Sequence, residues 1–142
     1  MDPIRLRSDG TLSLFEVMKY KYLDKGWAVE YADSEGNYGM GDPLSGTERL
    51  LWEDEGESPV QADLEKEKPT IKNILGFQKL RYDRDLKLAE TDWVVTKANE
   101  TGVAESDAWK TYRQQLRDLP SSATPEIDGM FIKNVTWPTK PS

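Results

Sequence analysis

The sequence predicts an α+β protein. It has a small N-terminal mixed unit with a β-hairpin, an acidic linker, and a C-terminal antiparallel helical hairpin with an extended tail. Three observations predict this. Residues 27–31, WAVEY, alternate with the period of a strand. Residues 53–70 are charge-dense and free of aromatics, as a solvated connection would be. From residue 71 onward, apolar side chains recur at steps of three and four in two blocks parted by NETG. The expected units are therefore 1–52, 53–70 and 71–142.

RSDGT, residues 7–11, has turn chemistry, since Asp-Gly favours positive φ. SLFEVMKYKYLDKG, residues 13–26, reads as a helix. Ser13 and Glu16 have the spacing of a capping box, in which each side chain satisfies the other's orphan backbone N–H. Lys25 and Gly26 stand where such a helix would stop. Leu14, Phe15, Met18 and Tyr22 then share a face. Phe15, Val17 and the two tyrosines are good strand formers, so a strand is the competing reading. WAVEYADSEGNYGMG, residues 27–41, reads as a strand, a Gly-Asn turn and a second strand. Trp27, Val29 and Tyr31 face one way, Ala28 and Glu30 the other. ERLLW, residues 48–52, can add an edge.

EDEGESPVQADLEKEKPT, residues 53–70, reads as a linker, or at most a solvated helical stretch near ADLEKE. From Ile71 a long helix is expected to run to NETG. Phe77, Leu80, Arg84, Leu88 and Val95 form its stripe. Gly76 weakens its first turns, so the firm part starts near Phe77. Gly102 supplies a positive-φ stop. A second helix covers AESDAWKTYRQQLRDLP, with Trp109, Tyr112, Leu116 and Leu119 on one face. Glu105 and Asp107 in its first turn and Arg117 in its last match the helix dipole, and Pro120 stops it. A connection of a few residues makes the two helices antiparallel. Trp93 and Trp109 fall near the connecting end, where their burial would contribute on the order of a few kcal/mol. MFIKNVTW in the tail suits an extended strand, and WPTKP an extended or polyproline stretch.

Composition narrows the chemistry. The chain has 142 residues, 37% apolar and 32% charged, enough for a modest core only. With no cysteine there is no disulfide, thiol nucleophile or cysteine-bound zinc. With no histidine the commonest general base near neutral pH is missing, as is the commonest transition-metal ligand. GNYGMG has the order GxxGxG, is not followed by Lys-Ser/Thr, and places Asp42 where an anion would sit, so a phosphate loop is not expected. DSEGN lacks the twelve-residue calcium-loop pattern and fits a hairpin turn. No cofactor is expected, and no enzyme. Charge is uneven: residues 1–70 carry 8 basic and 16 acidic side chains, a net −8, and residues 71–142 carry 11 and 10, a net +1. Neither half offers a basic footprint for nucleic acid or anionic lipid. MDPIRLRSDG does not read as a signal peptide, and no run approaches a membrane span. The expectation is a soluble protein, intracellular where it is made.

RDLKLAETDW (84–93), AWKTYRQQLRDLP (108–120) and WPTKP (137–141), in that order, carry a family likeness. The region resembles the C-terminal part of phage tail fibre assembly chaperones. The match falls on Arg84, Asp85, Leu88, Thr91, Asp92 and Trp93, continues through Trp109, Tyr112, Arg113, Leu116 and Arg117, and ends on Trp137 and Pro138. The pattern departs from the family at residues 86–88, LKL, where adjacent leucines are expected, and in the IDGMFIKN insertion before Trp137. The resemblance implies an assembly factor that binds the distal end of a trimeric tail fibre. Its place would be the host cytoplasm during infection. The alternative it implies is a fibre tip or adhesin retained in the virion tail. Residues 1–70 carry no such likeness.

The residues expected to meet a partner are Trp93, Trp109, Tyr112, Arg113, Arg117, Trp137 and Pro138. Each has a plainer reading. Trp109 and Tyr112 suit the hairpin core. Arg113 and Arg117 suit a solvated face, or pairing with Asp85 or Asp92 across the hairpin. Trp137 and Pro138 suit docking onto the hairpin itself.

Overall fold

The computed structural model describes residues 1–142. In chain order the elements are α1 (Leu14–Lys21), β1 (Trp27–Tyr31), β2 (Glu48–Trp52), α2 (Gln61–Ala89), α3 (Asp92–Thr101), α4 (Asp107–Ser122), β3 (Glu126–Asp128) and β4 (Phe131–Lys133). The mixed α+β architecture with a helical hairpin is as the sequence predicts.

The 13–26 segment is helical, and half of the capping box forms. Ser13 Oγ accepts from the Glu16 N–H at 3.4 Å. The Glu16 carboxylate accepts instead from the Arg5 N–H at 3.0 Å, while the Ser13 N–H donates to the Arg5 carbonyl at 3.1 Å. The Leu14 N–H is capped from a distance by Glu48, at 2.7 Å. A carboxylate there also complements the positive end of the helix dipole. The helix stops at Lys21, a turn before the expected Lys25–Gly26.

β1 pairs antiparallel with β2, from Trp27↔Trp52 to Tyr31↔Glu48. The second strand expected directly after the Gly-Asn turn does not form; only an isolated Ala32↔Tyr38 bridge marks it. Glycines explain the difference. Gly36 and Gly39 have positive φ, and the Gly39 and Gly41 N–H groups both turn onto the Tyr31 carbonyl. A Cβ at Gly41 would lie 2.1 Å from the Ala32 carbonyl oxygen. The loop therefore folds down over the strand end, which only glycine permits, and ERLLW becomes the partner strand.

The 53–70 segment is a connection only as far as Val60. Residues 61–70 are the first turns of α2, so of the two expected readings the helical stretch near ADLEKE forms, but with one face buried rather than solvated. Leu64, Lys68, Ile71 and Leu75 step four, three and four along one buried face. Lys68 occupies a core position because its ammonium meets the Glu48 carboxylate at 2.6 Å, with the Arg7 guanidinium 3.8 Å from the same oxygen. Gly76 does not mark a weak start either. It is buried mid-helix, where the Pro125 carbonyl would lie 3.0 Å from a Cβ, so the tail crosses α2 there.

The long helix expected over 71–101 is two helices, α2 and α3, broken at Glu90–Thr91. Gly102, at φ 69°, ends α3 as expected. Pro120 lies inside α4 rather than ending it. Lacking an N–H, it forgoes only the bond to the Leu116 carbonyl, and the last turn closes by Ala123 N–H to Leu119 C=O at 2.9 Å. The tail forms a tight hairpin, β3–β4, in place of one long strand. Its two-residue loop begins with Gly129 at φ 64°, the backbone such loops favour.

One core joins these parts. Ile4, Leu12, Leu14, Val17 and Met18 from the N-terminal segment pack with Leu64, Ile71 and Leu75 of α2 and Ile127 of β3. Trp27, Val29, Leu50 and Trp52, all on the inner sheet face, close over it. The insertion before Trp137 thus supplies the residue, Ile127, that ties the tail to the N-terminal unit.

Candidate partner-binding surface

The C-terminal region is a bent hairpin of α2 and α4. Leu88 meets Arg113 and Arg84 meets Arg117, so the two helices run antiparallel. Leu80, Tyr112, Leu116 and Leu119 are its buried side chains. Fully burying a leucine contributes about 1.5–3 kcal/mol, so Leu80 and Leu116, both at 0% exposure, hold the helices together.

The bend is built from polar groups. After Ala89 the chain leaves α2, and the Thr91 hydroxyl donates back to the Leu88 carbonyl at 2.8 Å. Arg113 reaches over from α4. One of its terminal nitrogens donates to that same carbonyl at 3.0 Å and to the Thr91 hydroxyl oxygen; the other donates to Asp92 at 3.2 Å. The guanidinium thereby adds a charged donor to a carbonyl that already accepts from the Thr91 N–H and hydroxyl, and engages the first residue of α3. Of the two readings open for Arg113 within the hairpin, pairing across it is the one that holds. Arg117 does not join the cluster. Its guanidinium bonds only Gln114, at 3.1 Å, and the residue is exposed.

At the bend the aromatic rings meet as expected. The Trp93 and Trp109 centroids are 5.7 Å apart at 76°, and Trp109 meets Tyr112 edge-on at 6.2 Å. Edge-to-face contacts suit the ring quadrupoles. Burial grades along this row. Tyr112 is buried, and desolvation, then the Glu90 charge, raise its phenol pKa above the ordinary value. Trp109 is half-buried, and Trp93 is 54% exposed. Trp93, Val94, Ala98, Val103 and Trp109 line a largely apolar depression of about 280 Å³, which Lys97 and Glu105 also line, the latter with one carboxylate oxygen buried and unpaired. Val103 is itself 69% exposed, so the depression continues as an apolar patch.

Trp137 and Pro138 are placed elsewhere. The tail runs beside α4, where Trp137 and Pro138 share a groove with Gln115, Asp118, Leu119 and Ser122. The Lys87 ammonium lies 5.0 Å from the Trp137 ring centroid, a cation–π contact from α2. The seven expected residues therefore form a bend cluster (Trp93, Trp109, Tyr112, Arg113), a tail cluster (Trp137, Pro138) and an isolated Arg117. Sequence reasoning passed over Val103 and Lys87. Val103 directly follows the Gly102 stop, and Lys87 lies one turn before the break, but neither falls in an apolar stripe.

The α2–α4 hairpin, with α3 at its bend, displays aromatic surface there. Residues 77–142 match a family model described as phage tail assembly chaperone protein. Over these residues the chain is similar to phage tail assembly chaperones, and the likeness carried by its three segments stands. No curated protein and no solved structure matches the chain.

Proposed function

We propose that the protein is a tail fibre assembly chaperone that binds the distal end of a trimeric fibre and acts without a chemical step. The observation that carries this reading is the family match over residues 77–142 together with the exposed Trp93 face at the bend. A fibre end that has not yet trimerised exposes apolar surface and unpaired strand edges, which aggregate. The Trp93–Val103 patch would cover apolar surface of that kind, and the acidic N-terminal half would discourage non-specific contact. It acts in the host cytoplasm during infection.

Co-expression of the fibre with and without this protein tests the reading. More soluble, SDS-resistant trimer in its presence is the expected result; equal yields would reject it. A version in which the protein instead remains as a fibre tip predicts its stoichiometric presence in purified particles by mass spectrometry.

A further inference from the structure

The two-stranded sheet treats its two edges differently. Ala32 N–H donates to Thr47 C=O and Glu53 N–H to Gly26 C=O, so even-numbered residues of β1 bond to β2. By the alternation of an antiparallel ladder, Glu48 and Leu50 of β2 and Trp27 and Val29 of β1 turn their backbone groups outward. The β2 edge is closed by one side chain. The Gln61 amide accepts from the Leu50 N–H at 3.0 Å and donates to the Glu48 carbonyl at 2.8 Å, standing in for a strand. On the β1 side no strand follows. The Tyr31 carbonyl is taken by the Gly39 and Gly41 N–H groups, which leaves the donors and acceptors of Trp27 and Val29 open.

A groove of about 570 Å³ lies along this side, between α1 and β1. Its apolar lining comes from Phe15, Leu23, Trp27, Val29 and Tyr31. Phe15 and Trp27 meet edge-on at 5.4 Å, and the Trp27 indole N–H is held by the Tyr22 carbonyl at 2.7 Å, so the floor is fixed in place. Its charged lining is Arg5, Lys19 and Lys25, with no acid among the lining residues. In a chain of net charge −7, three cations around one apolar groove run against the overall field.

We propose that β1 is a docking edge for an extended segment of another protein, one that alternates apolar and acidic side chains. The segment adds as a strand beside Trp27 and Val29. Its apolar side chains enter the groove and its carboxylates meet Arg5, Lys19 and Lys25. Backbone pairing supplies binding and the alternate side chains supply selection, as in other cases of strand addition. This site is on the opposite end of the chain from the Trp93 patch and does not depend on the role proposed for that patch.

The test uses the full chain and a synthetic peptide of alternating valine and glutamate, followed by fluorescence anisotropy and by amide shifts in NMR spectra. Binding is expected, with the largest shifts at Trp27 and Val29. Replacing glutamate by lysine in the peptide, or introducing Lys19→Glu with Lys25→Glu in the protein, weakens it by about tenfold or more. Both lysines lie at the surface, so the thermal midpoint reports that the variant still folds. Methylating the peptide nitrogens along one edge abolishes binding. The proposal is overturned if no shifts appear at Trp27 and Val29, if the lysine peptide binds equally well, or if concentration-dependent sedimentation shows a second copy of the chain occupying this edge.

Discussion

The Arg113 guanidinium donates to the Leu88 carbonyl at 3.0 Å, joining the middle of α4 to the last turn of α2. The same group engages Thr91 and Asp92, so one side chain spans the whole bend. Arg113→Ala removes the tie from α4 while the Leu88 carbonyl keeps the Thr91 N–H and hydroxyl, so it should cost about 1.5 kcal/mol, the low end for hydrogen bonds to charged groups. Arg113→Lys should recover little of it, because an ammonium cannot fork to partners on both sides of the break. Urea denaturation measures both; an unchanged midpoint for Arg113→Ala would refute the bracing role.

Lys68 and Glu48 form a buried ion pair at 2.6 Å, with side-chain exposures of 9% and 5%. Removing Lys68 leaves the buried Glu48 carboxylate with only the Leu14 N–H and the Arg7 guanidinium 3.8 Å away, at a cost of about 3 kcal/mol, the low end for a broken buried pair. Lys68→Met alone should therefore destabilise more than Lys68→Met combined with Glu48→Gln. A double mutant that is less stable than the single one, in the same denaturation series, would contradict this.

Gly41 separates close approach from backbone strain. A Cβ there meets the Ala32 carbonyl at 2.1 Å, whereas Gly36 has φ 87° and open space around it. Gly36→Ala should cost about 1 kcal/mol of left-handed strain. Gly41→Ala should cost more, because the 32–47 loop must lift from the strand end, and thermal unfolding ranks the two.

The acid and alkaline limits follow from different groups. Asp9, Asp33 and Asp54 have lowered pKa values. Asp9 is held by the Thr11 hydroxyl and N–H, Asp33 first by the Asn37 N–H, and Asp54 by the Gly26 and Glu55 N–H groups. Their contribution is present above the ordinary carboxyl value of about 3.9 and is lost as pH falls through the lowered folded values. Tyr31 and Tyr112 shift the other way, both raised chiefly by burial. Folding thus favours their neutral forms. That contribution is intact below the ordinary phenol value of about 10 and is lost as pH rises through the folded values. Absorbance titration should show Tyr31 and Tyr112 ionising late, and Tyr112→Phe should remove one such phenol.

The sequence made some of this legible and concealed the rest for identifiable reasons. α1 was readable from its Ser13 cap and α4 from its regular apolar face, although α4 begins at Asp107, after the Ser106 cap, which leaves Glu105 outside its first turn. The first turns of α2 were hidden by Lys68. A lysine at a core position breaks the apolar stripe, and only Glu48, far off in sequence, makes its burial tolerable. Pro69 strengthened the misreading, since proline usually marks a boundary. The α2–α3 break has no glycine or proline; it rests on Arg113, a contact 22 residues beyond Thr91. The pairing of β1 with β2 across a long loop was equally non-local. At the bend, the Trp93–Trp109 contact followed from position alone, whereas the docking of Trp137 against Lys87 depended on the path of the tail.

The most direct test of the central claim is the affinity of the chain for the C-terminal fragment of its fibre, measured for wild type and for Trp93→Ala. Trp93 is 54% exposed, so its loss forfeits little beyond the edge contact with Trp109, about 0.5–1.5 kcal/mol of stability. Co-elution of the wild-type chain with the fragment on size exclusion, and an affinity at least about tenfold weaker for a still-folded Trp93→Ala, is the result expected. Equal affinity of the two proteins, or no complex with wild type, would contradict it.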